Sequence, residues 1–321
     1  MANSDGIIVI DKPQGMTSHD VVGFVRRALG MRRVGHTGTL DPMARGVLPI
    51  CVGKATRIIE FIDADDSADA KAYDCEMRLG VVTDTLDVWG SVIGEAQADA
   101  AHGIDGGAVE GVLAAMTGEL DQIPPAYSAI KYKGKKLYEL ARRGEEIPED
   151  AVKPRRVRIG SIVFKGISFD ADGHPASNPG FATVRFSVVC SKGTYVRSIV
   201  RDAGDALGCG AAMSALTRTK SGVFTLDDAG SHPGLPSGNA ESGDMAHALL
   251  PMDSAIPYLP EIRLAEADAR RFKSGLRFRA KQAAGGGACS YAFTRVYESS
   301  EFIGIAKIEE DIVKPYKVIT S

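Results

Sequence analysis

The residues at positions 35–46, with the sequence GHTGTLDPMARG, could perform acid–base or nucleophilic chemistry. Glycine and proline impose a loop path here, and Pro42 disfavours the helical conformation for Asp41. A carboxylate is therefore held on a stiff loop, five residues after the imidazole of His36 and just before an apolar, strand-like run. This arrangement suits a catalytic acid. It equally suits an Asp-Pro turn, which from the residues alone is the commoner outcome.

Length and composition indicate a soluble chain of one large and one small domain. No run of eighteen or more apolar residues occurs, and the N-terminus lacks the basic and apolar segments of a secretory signal. The five cysteines are scattered without CxxC or CxxH pairs. This spacing favours reduced thiols over a disulfide framework or a zinc site, so we expect a cytoplasmic protein.

Charge is distributed unevenly along the chain, although the net charge is only −3. Residues 63–121 are acidic, whereas residues 131–158 hold ten Lys or Arg and residues 263–281 hold seven. A polyanion responds to the local field of a basic surface, so these runs are candidates for binding nucleic acid. A solvated surface face is the alternative for any single run.

Three blocks in order along the chain carry a family resemblance. The blocks are IIVIDKPQGMTSHDVV, GHTGTLDPMARGVLPICVG and SKGTYVRSIV. Together they resemble the bacterial tRNA pseudouridine-55 synthases, the TruB family, over most of residues 6–226. The resemblance implies an α+β fold, with a central mixed, mostly antiparallel sheet flanked by helices and loops and a small C-terminal β-rich PUA-like domain.

The same resemblance predicts how the chain is divided. We expect a catalytic domain at 1–230, a linker with a bridging helix at 231–258 and a PUA-like RNA-binding domain at 259–321. An insertion at about 124–152 is basic and aromatic, and its family counterpart grips RNA. An exposed amphipathic insertion is the alternative that the residues themselves leave open.

Pseudouridine formation breaks the C1′–N1 bond, turns the uracil and re-forms the link at C5 after the base has left its stack. It needs a carboxylate and an apolar, aromatic slot, and no metal or redox cofactor. The resemblance places the catalytic aspartate on Asp41. It places on Arg197 the arginine that keeps this acid ionised, for which a bidentate pair is expected. Without the resemblance, a structural ion pair would be the simpler interpretation of Arg197.

Four further positions match the family's substrate pocket. Tyr73 would stack on the flipped uracil and exchange a proton with it, and Tyr195 and Leu216 would line the slot. His36 would fill the gap left by the extruded base. Taken alone, Tyr73, Tyr195 and Leu216 would be assigned to the core and His36 to the surface. Lys12 belongs to a block that braces the catalytic loop.

Two positions depart from the family pattern. Residues 43–46 read Met-Ala-Arg-Gly where the family has Leu-Ala-Thr-Gly, and Arg57 stands where Lys is expected. With four lysines of the insertion, the two new arginines are candidates for RNA contact: Arg45, Arg57, Lys131, Lys133, Lys135 and Lys136.

The sequence thus predicts a stand-alone, monomeric tRNA pseudouridine-55 synthase that acts on the T-arm without guide RNA, cofactor or metal. A non-catalytic tRNA-binding or folding protein of the same fold is the alternative, and a guide-RNA-directed synthase is a third hypothesis. Whether Asp41 attacks ribose C1′ or the base stays open.

Overall fold

Strands dominate the chain. The computed structural model describes residues 5–62, 67, 69–95, 104–128, 130–145, 148, 151–169, 182–229, 247–279, 293–309 and 311–319. The strands within them are β1 (Gly6–Lys12), β2 (Val34–His36), β3 (Arg45–Val52), β4 (Lys71–Leu79), β5 (Val81–Thr83), β6 (Val92–Glu95), β7 (Gly118–Gln122), β8 (Lys131–Tyr132), β9 (Lys135–Lys136), β10 (Arg155–Phe169), β11 (Ala182–Cys190), β12 (Ala211–Ser221), β13 (Phe224–Thr225), β14 (Glu261–Leu264), β15 (Phe278–Arg279), β16 (Thr294–Glu298), β17 (Glu301–Glu309) and β18 (Ile312–Val318).

Short helices lie between the strands. The α-helices of the described residues are α1 (Ser18–Ala28), α2 (Ile59–Ile62), α3 (Gly106–Ala115), α4 (Leu137–Arg142), α5 (Val196–Ala206), α6 (Leu226–Ala229) and α7 (Glu266–Lys273), with 3-10 helices at Gly53–Ile58 and Met252–Ala255. Within the same residues, no helix has both the length and the apolar character that a bilayer crossing requires.

Nine strands form one mixed sheet in the order β1-β3-β12-β4-β11-β10-β7, with β2 paired to β3 and β13 to β12. The pairing of β3 with β12 is parallel, whereas the other pairs of this sheet are antiparallel. A second sheet has the order β14-β16-β17-β18-β15. The predicted α+β fold class is confirmed by this architecture. The parallel junction of β3 and β12 matters most for function, because β3 runs directly out of the loop that carries Asp41 and β12 carries the candidate residue Leu216.

Two hydrophobic cores hold the large sheet. The helices α1, α3 and α5 cover one face, where Val184, Phe186 and Val188 of β11 alternate inward as a strand requires. The second core lies behind β1 and β3 and includes Tyr297 and Phe302 of the C-terminal sheet. The two sheets therefore share buried apolar contacts.

Some predicted elements have a different outcome. The chain from 123 to 128 is not a strand, since its two prolines have no backbone N–H for a sheet, and no sequence pattern predicted β7 or most of β12. Residues 231–246, the larger part of the predicted linker and the start of its bridging helix, lie outside the described residues. Leu250, at the end of that predicted helix, instead forms a β-bridge with Ile7.

Candidate active site

The loop that carries Asp41 is fixed from both sides. Lys12 is completely buried at the end of β1 and donates from Nζ to the carbonyls of Met16 (2.6 Å), Pro13 (2.9 Å) and, at 3.5 Å, Pro42. Ser18, at the start of α1, exchanges hydrogen bonds with the amide (2.9 Å) and carbonyl (3.1 Å) of Leu40. Burial lowers the pKa of Lys12 to about 8, against the opposing charge of Asp41. The backbone on either side of Asp41 is thus held by buried side chains, which is the bracing that was predicted for Lys12.

Asp41 and Arg197 form an ion pair across 156 positions of the chain. Arg197 Nε lies 2.9 Å from Asp41 Oδ2, and the guanidinium side chain is 6% exposed while the carboxylate is 35% exposed. The pair is joined through one nitrogen rather than through the bidentate fork that was expected. The remaining guanidinium donors hold backbone, with Nη1 on the Thr85 carbonyl at 2.9 Å and Nη2 on the Tyr127 carbonyl at 3.0 Å. One face of Asp41 therefore stays open towards solvent, where a substrate atom could approach.

A second acid, Asp87, is buried beside the same guanidinium. Its Oδ2 is 3.7 Å from Arg197 Nη1, and its Oδ1 accepts from the Thr85 hydroxyl and the Trp89 amide, each at 3.0 Å. Burial raises the pKa of Asp87, and the positive charge of Arg197 opposes that rise. Sequence reasoning missed this residue as part of the site. An acid in a TDTLD turn between two strands is the signal that could have drawn attention to it.

Tyr73 and Arg218 face each other on adjacent strands, β4 and β12. Both are buried, and Arg218 donates from Nε to the Val47 carbonyl at 2.7 Å and from Nη2 to the Gly38 carbonyl at 3.1 Å. Burial raises the pKa of Tyr73 to about 12, with the charge of Arg218 opposing. Tyr73 is thus a neutral phenol at physiological pH. It lies beside Arg218, which is bonded to the Gly38 carbonyl in the loop that carries Asp41.

Gly46 shows why this part of the loop sequence is restricted. Its φ is +108°, and a Cβ there would lie 2.2 Å from the carbonyl oxygen of Arg218. Only glycine fits, because β3 and β12 meet in parallel at this point with Arg218 paired to Gly46. The glycine therefore brings the strand that follows Asp41 against the strand that carries Arg218.

The other predicted pocket residues surround this centre. Tyr195 is the N-cap residue of α5, two positions before Arg197, and the negative charge of Asp41 contributes to raising the pKa of both Tyr195 and Tyr73. Burial is the larger cause of that rise for each. Leu216 is buried on β12, two residues before Arg218 and on the same face. Tyr73 and Tyr195 are therefore close enough to Asp41 to feel its charge, and Leu216 belongs to the same buried cluster as Leu40 and Val196, the chain neighbours of the Asp41–Arg197 pair.

His36 lies at the end of β2, half-buried, with its ring centroid 6.4 Å from that of His19 in a T-shaped arrangement. Burial lowers its pKa, followed by the charges of His19 and Arg218. These effects favour the neutral form of the imidazole, which lies five residues before Asp41 in the chain.

Comparison with known protein families identifies the family of this chain. Residues 26–196 match the family described as TruB family pseudouridylate synthase (N terminal domain). The chain belongs to the TruB family. Residues 197–256 match the tRNA pseudouridylate synthase B C-terminal domain, and residues 260–319 match the description Pseudouridine synthase II TruB, C-terminal.

Relatives of similar length share this family. The chain is 44% identical to tRNA pseudouridine synthase B of Symbiobacterium thermophilum over 85% of this chain and 82% of that protein. It is 38% identical to the same-named protein of Gloeobacter violaceus over 98% of this chain and 99% of that protein. With that of Bacillus subtilis it shares 40% identity over 84% and 82% of the two chains.

Solved structures share the fold of this TruB family protein. One is a chain of an H/ACA RNP bound to a substrate RNA containing 2'-deoxyuridine, with a TM-score of 0.66 and 23% identity over 99% of this chain and 86% of that one. Another belongs to a Cbf5-Nop10-Gar1 complex, with a TM-score of 0.63 and 25% identity over 98% and 85% of the two chains.

The predicted RNA-contact residues of the TruB family protein have varied surroundings. Arg45 is exposed and donates to the Thr217 hydroxyl at 3.2 Å. Arg57 donates instead to the carbonyl of Val318, at 2.6 Å, so it joins the 3-10 helix Gly53–Ile58 to the last strand of the C-terminal sheet. Lys133 and Lys135 are exposed in the β8–β9 hairpin, whereas the side chains of Lys131 and Lys136 lie outside the described residues.

Part of the basic run is neutralised by its neighbours. Arg156 of β10 pairs with Glu119 (3.0 Å) and Asp121 (3.5 Å) of β7, and Arg158 lies 3.7 Å from Glu119. These two arginines therefore form a solvated, ion-paired face, which is the alternative left open for the run.

Proposed function

We propose that this TruB family protein isomerises the uridine at position 55, in the T-arm of tRNA, to pseudouridine. The observation that carries the proposal is the Asp41–Arg197 ion pair at 2.9 Å, formed by a loop and a helix that are far apart in sequence. The carboxylate is 35% exposed to solvent while the guanidinium is buried, as expected for an acid that contacts a substrate. The relatives named tRNA pseudouridine synthase B support the class of reaction and of substrate.

The proposed reaction begins when the target uridine leaves its stack and enters the slot at Tyr73, Tyr195 and Leu216. The ring of Tyr73 stacks on the uracil, and its neutral phenol is suited to exchanging a proton with the base. Asp41 acts as the nucleophile, on ribose C1′ or on the base, and its bond to the substrate breaks again before the product leaves, which regenerates the carboxylate. The C1′–N1 bond breaks, the uracil turns, and a C1′–C5 bond forms. The C5 hydrogen leaves as a proton and N1 gains one, so the change is an isomerisation.

Arg197 has the role of keeping Asp41 ionised in the proposed mechanism. A carboxylate that is covered by a base loses water, which favours its neutral, non-nucleophilic form. A buried guanidinium 2.9 Å away opposes that change. Asp87 lies on the other side of the guanidinium and fixes its orientation in this scheme.

The remaining chain supplies RNA contacts in this proposal. The hairpin lysines at 133 and 135 and the exposed Arg45 meet phosphates, and the domain at 259–321 adds a PUA-like RNA-binding surface. We propose that the protein works in the cytoplasm as a monomer, without guide RNA, metal or redox cofactor. The three hypotheses predict different behaviour of the purified chain: catalysis by the chain alone, tRNA binding without catalysis, or catalysis only with a guide RNA.

Release of tritium tests the function directly. Unmodified tRNA labelled with tritium at uridine C5 should release label to water when the purified protein is added, because C1′–C5 bond formation expels that hydrogen. Label at uridine 55 should be lost, and a transcript with cytidine at position 55 should release none above background. Tight, salt-sensitive binding without release would instead identify a non-catalytic tRNA-binding protein. Release only after addition of a guide RNA would point to the third hypothesis.

A further inference from the structure

The segment at 122–128, here called the root segment, joins β7 to the β8–β9 hairpin and α4 of the insertion. It contacts the start of helix α5 at three successive points. Gln122 bonds to Tyr195, the Ile123 carbonyl accepts from the Ser198 hydroxyl at 2.8 Å, and the Tyr127 carbonyl accepts from Arg197 Nη2 at 3.0 Å. The root segment thus follows the helix turn that carries the arginine of the active-site pair.

Gln122 makes the most specific of these contacts. Gln122 is only 2% exposed, and its side-chain amide forms two hydrogen bonds with the backbone of a single residue. Oε1 accepts from the Tyr195 amide at 2.7 Å, and Nε2 donates to the Tyr195 carbonyl at 3.1 Å. Tyr195 is the N-cap of α5 and makes no side-chain capping bond. Gln122 therefore binds the backbone of the N-cap residue itself, so the start of α5 is fixed from another strand and not by a capping side chain.

This arrangement fixes Arg197 as well as the helix. Arg197 lies two residues after Tyr195 and is the second residue of α5, so a shift or rotation of the helix start moves its guanidinium relative to Asp41. Ser198 is completely buried and adds a second bond from the same turn to the root segment. A displacement of about 1 Å at a catalytic group is enough to lower a rate by about a hundredfold.

We propose that Gln122 is a positioning residue for the reaction, and that the root segment couples the insertion to the Asp41–Arg197 pair. It acts through the backbone of Tyr195 and the start of α5 and does not itself touch the RNA. Tyr127 extends the contact, because its carbonyl accepts from Arg197 while its hydroxyl lies 3.4 Å from Asp84 in the turn that precedes Asp87.

The inference rests on the proposed function, and Gln122→Met tests it. Methionine keeps the length and volume of glutamine but has neither the acceptor for the Tyr195 amide nor the donor for its carbonyl. The measurements are the single-turnover rate of pseudouridine formation with enzyme in excess, the dissociation constant for unmodified tRNA and the thermal unfolding midpoint. We expect the rate to fall about tenfold to a hundredfold while the dissociation constant changes by less than about threefold.

Ser198→Ala is a second, milder variant that keeps the test open if Gln122→Met does not fold. It removes only the bond to the Ile123 carbonyl, and we expect a several-fold slower rate with unchanged tRNA affinity. Ser254→Ala is its matched control, because the Ser254 hydroxyl makes the same kind of bond to the Pro251 carbonyl, at 2.6 Å, in the 3-10 helix Met252–Ala255. This control should keep the wild-type rate.

The outcomes separate the two proposals. A folded Gln122→Met protein with the wild-type rate, or one whose loss lies in tRNA affinity alone, overturns the positioning role. If Gln122→Met cannot be purified folded, a wild-type rate in Ser198→Ala overturns it. A wild-type protein that forms no pseudouridine refutes the proposed function itself. The variants are compared only with an active wild-type protein, so a failure of the positioning role is distinguished from a failure of the proposed function.

Discussion

Replacing Arg197 by lysine would remove the geometry of the guanidinium while keeping its charge. Three donors of Arg197 serve three different segments: Asp41 at 2.9 Å, the Thr85 carbonyl at 2.9 Å and the Tyr127 carbonyl at 3.0 Å. A lysine ammonium at the end of a flexible stem is a point charge and cannot span the three directions of a planar fork. If the lysine ammonium pairs with Asp41, the Thr85 and Tyr127 carbonyls lose their charged donor.

The size of the effect follows from those lost contacts. Arg197 is buried, so leaving a carbonyl beside it without a donor costs about 1–3 kcal/mol. With two such carbonyls, at Thr85 and Tyr127, and a poorer contact with Asp41, the reactive arrangement is destabilised on the order of 3 kcal/mol. Each 1.36 kcal/mol is about tenfold in rate, so we expect Arg197→Lys to be slower on the order of a hundredfold. The charge is kept, so tRNA affinity should change little.

Single-turnover tritium release from tRNA, with enzyme in excess, measures this rate without interference from product release. Arg185→Lys is the matched control, because Arg185 makes an exposed pair with Glu76, at 3.6 Å, on the same sheet. We expect the control to keep its rate within about twofold. A folded Arg197→Lys protein with a rate within about threefold of wild type would refute the claim that guanidinium geometry matters.

Two further predictions use Lys12 and Trp89. Burial depresses the pKa of Lys12 from 10.5 to about 8, so its ammonium form opposes folding at lower pH and this penalty fades as pH rises. The free energy of unfolding of wild type relative to Lys12→Met should therefore increase by about 2 kcal/mol between pH 8 and 10, measured by urea unfolding; a difference that stays flat or falls would contradict it. Trp89 is the only tryptophan, is 54% exposed and lies two residues after Asp87. Its fluorescence should change when T-arm RNA binds, with Trp89→Phe as the blank, and a signal that RNA leaves unaltered would show that this turn stays away from the substrate.

The resemblance to the TruB family predicted the fold class and the pairing of Asp41 with Arg197, because that resemblance rests on local motifs in a recognisable order. The sequence did not predict β12, whose run from Ala211 to Ser221 lacks the alternation of a half-buried strand. That strand is fixed by pairing on both sides, with β3 and β4, so tertiary context overrides its weak propensity.

The rest of the site depends on contacts that no local pattern encodes. Gln122 lies 73 positions from the backbone it holds, and Arg218 lies 171 positions from the carbonyl of Val47. A glutamine after a short strand or an arginine within a strand has many ordinary explanations. The expectation of a bidentate pair was wrong for a related reason, since the number of partners around Arg197 depends on two other segments, at Thr85 and Tyr127, reaching the same guanidinium.

The substitution Asp41→Asn tests the central claim most directly, with tritium release and tRNA binding measured on the same preparation. Asparagine has nearly the same shape and can still accept from Arg197, but it provides no carboxylate nucleophile. We predict a folded protein that binds unmodified tRNA with wild-type affinity and releases no tritium above background. A variant that still released label at a rate near that of the wild type would show that the carboxylate at position 41 does not perform the reaction.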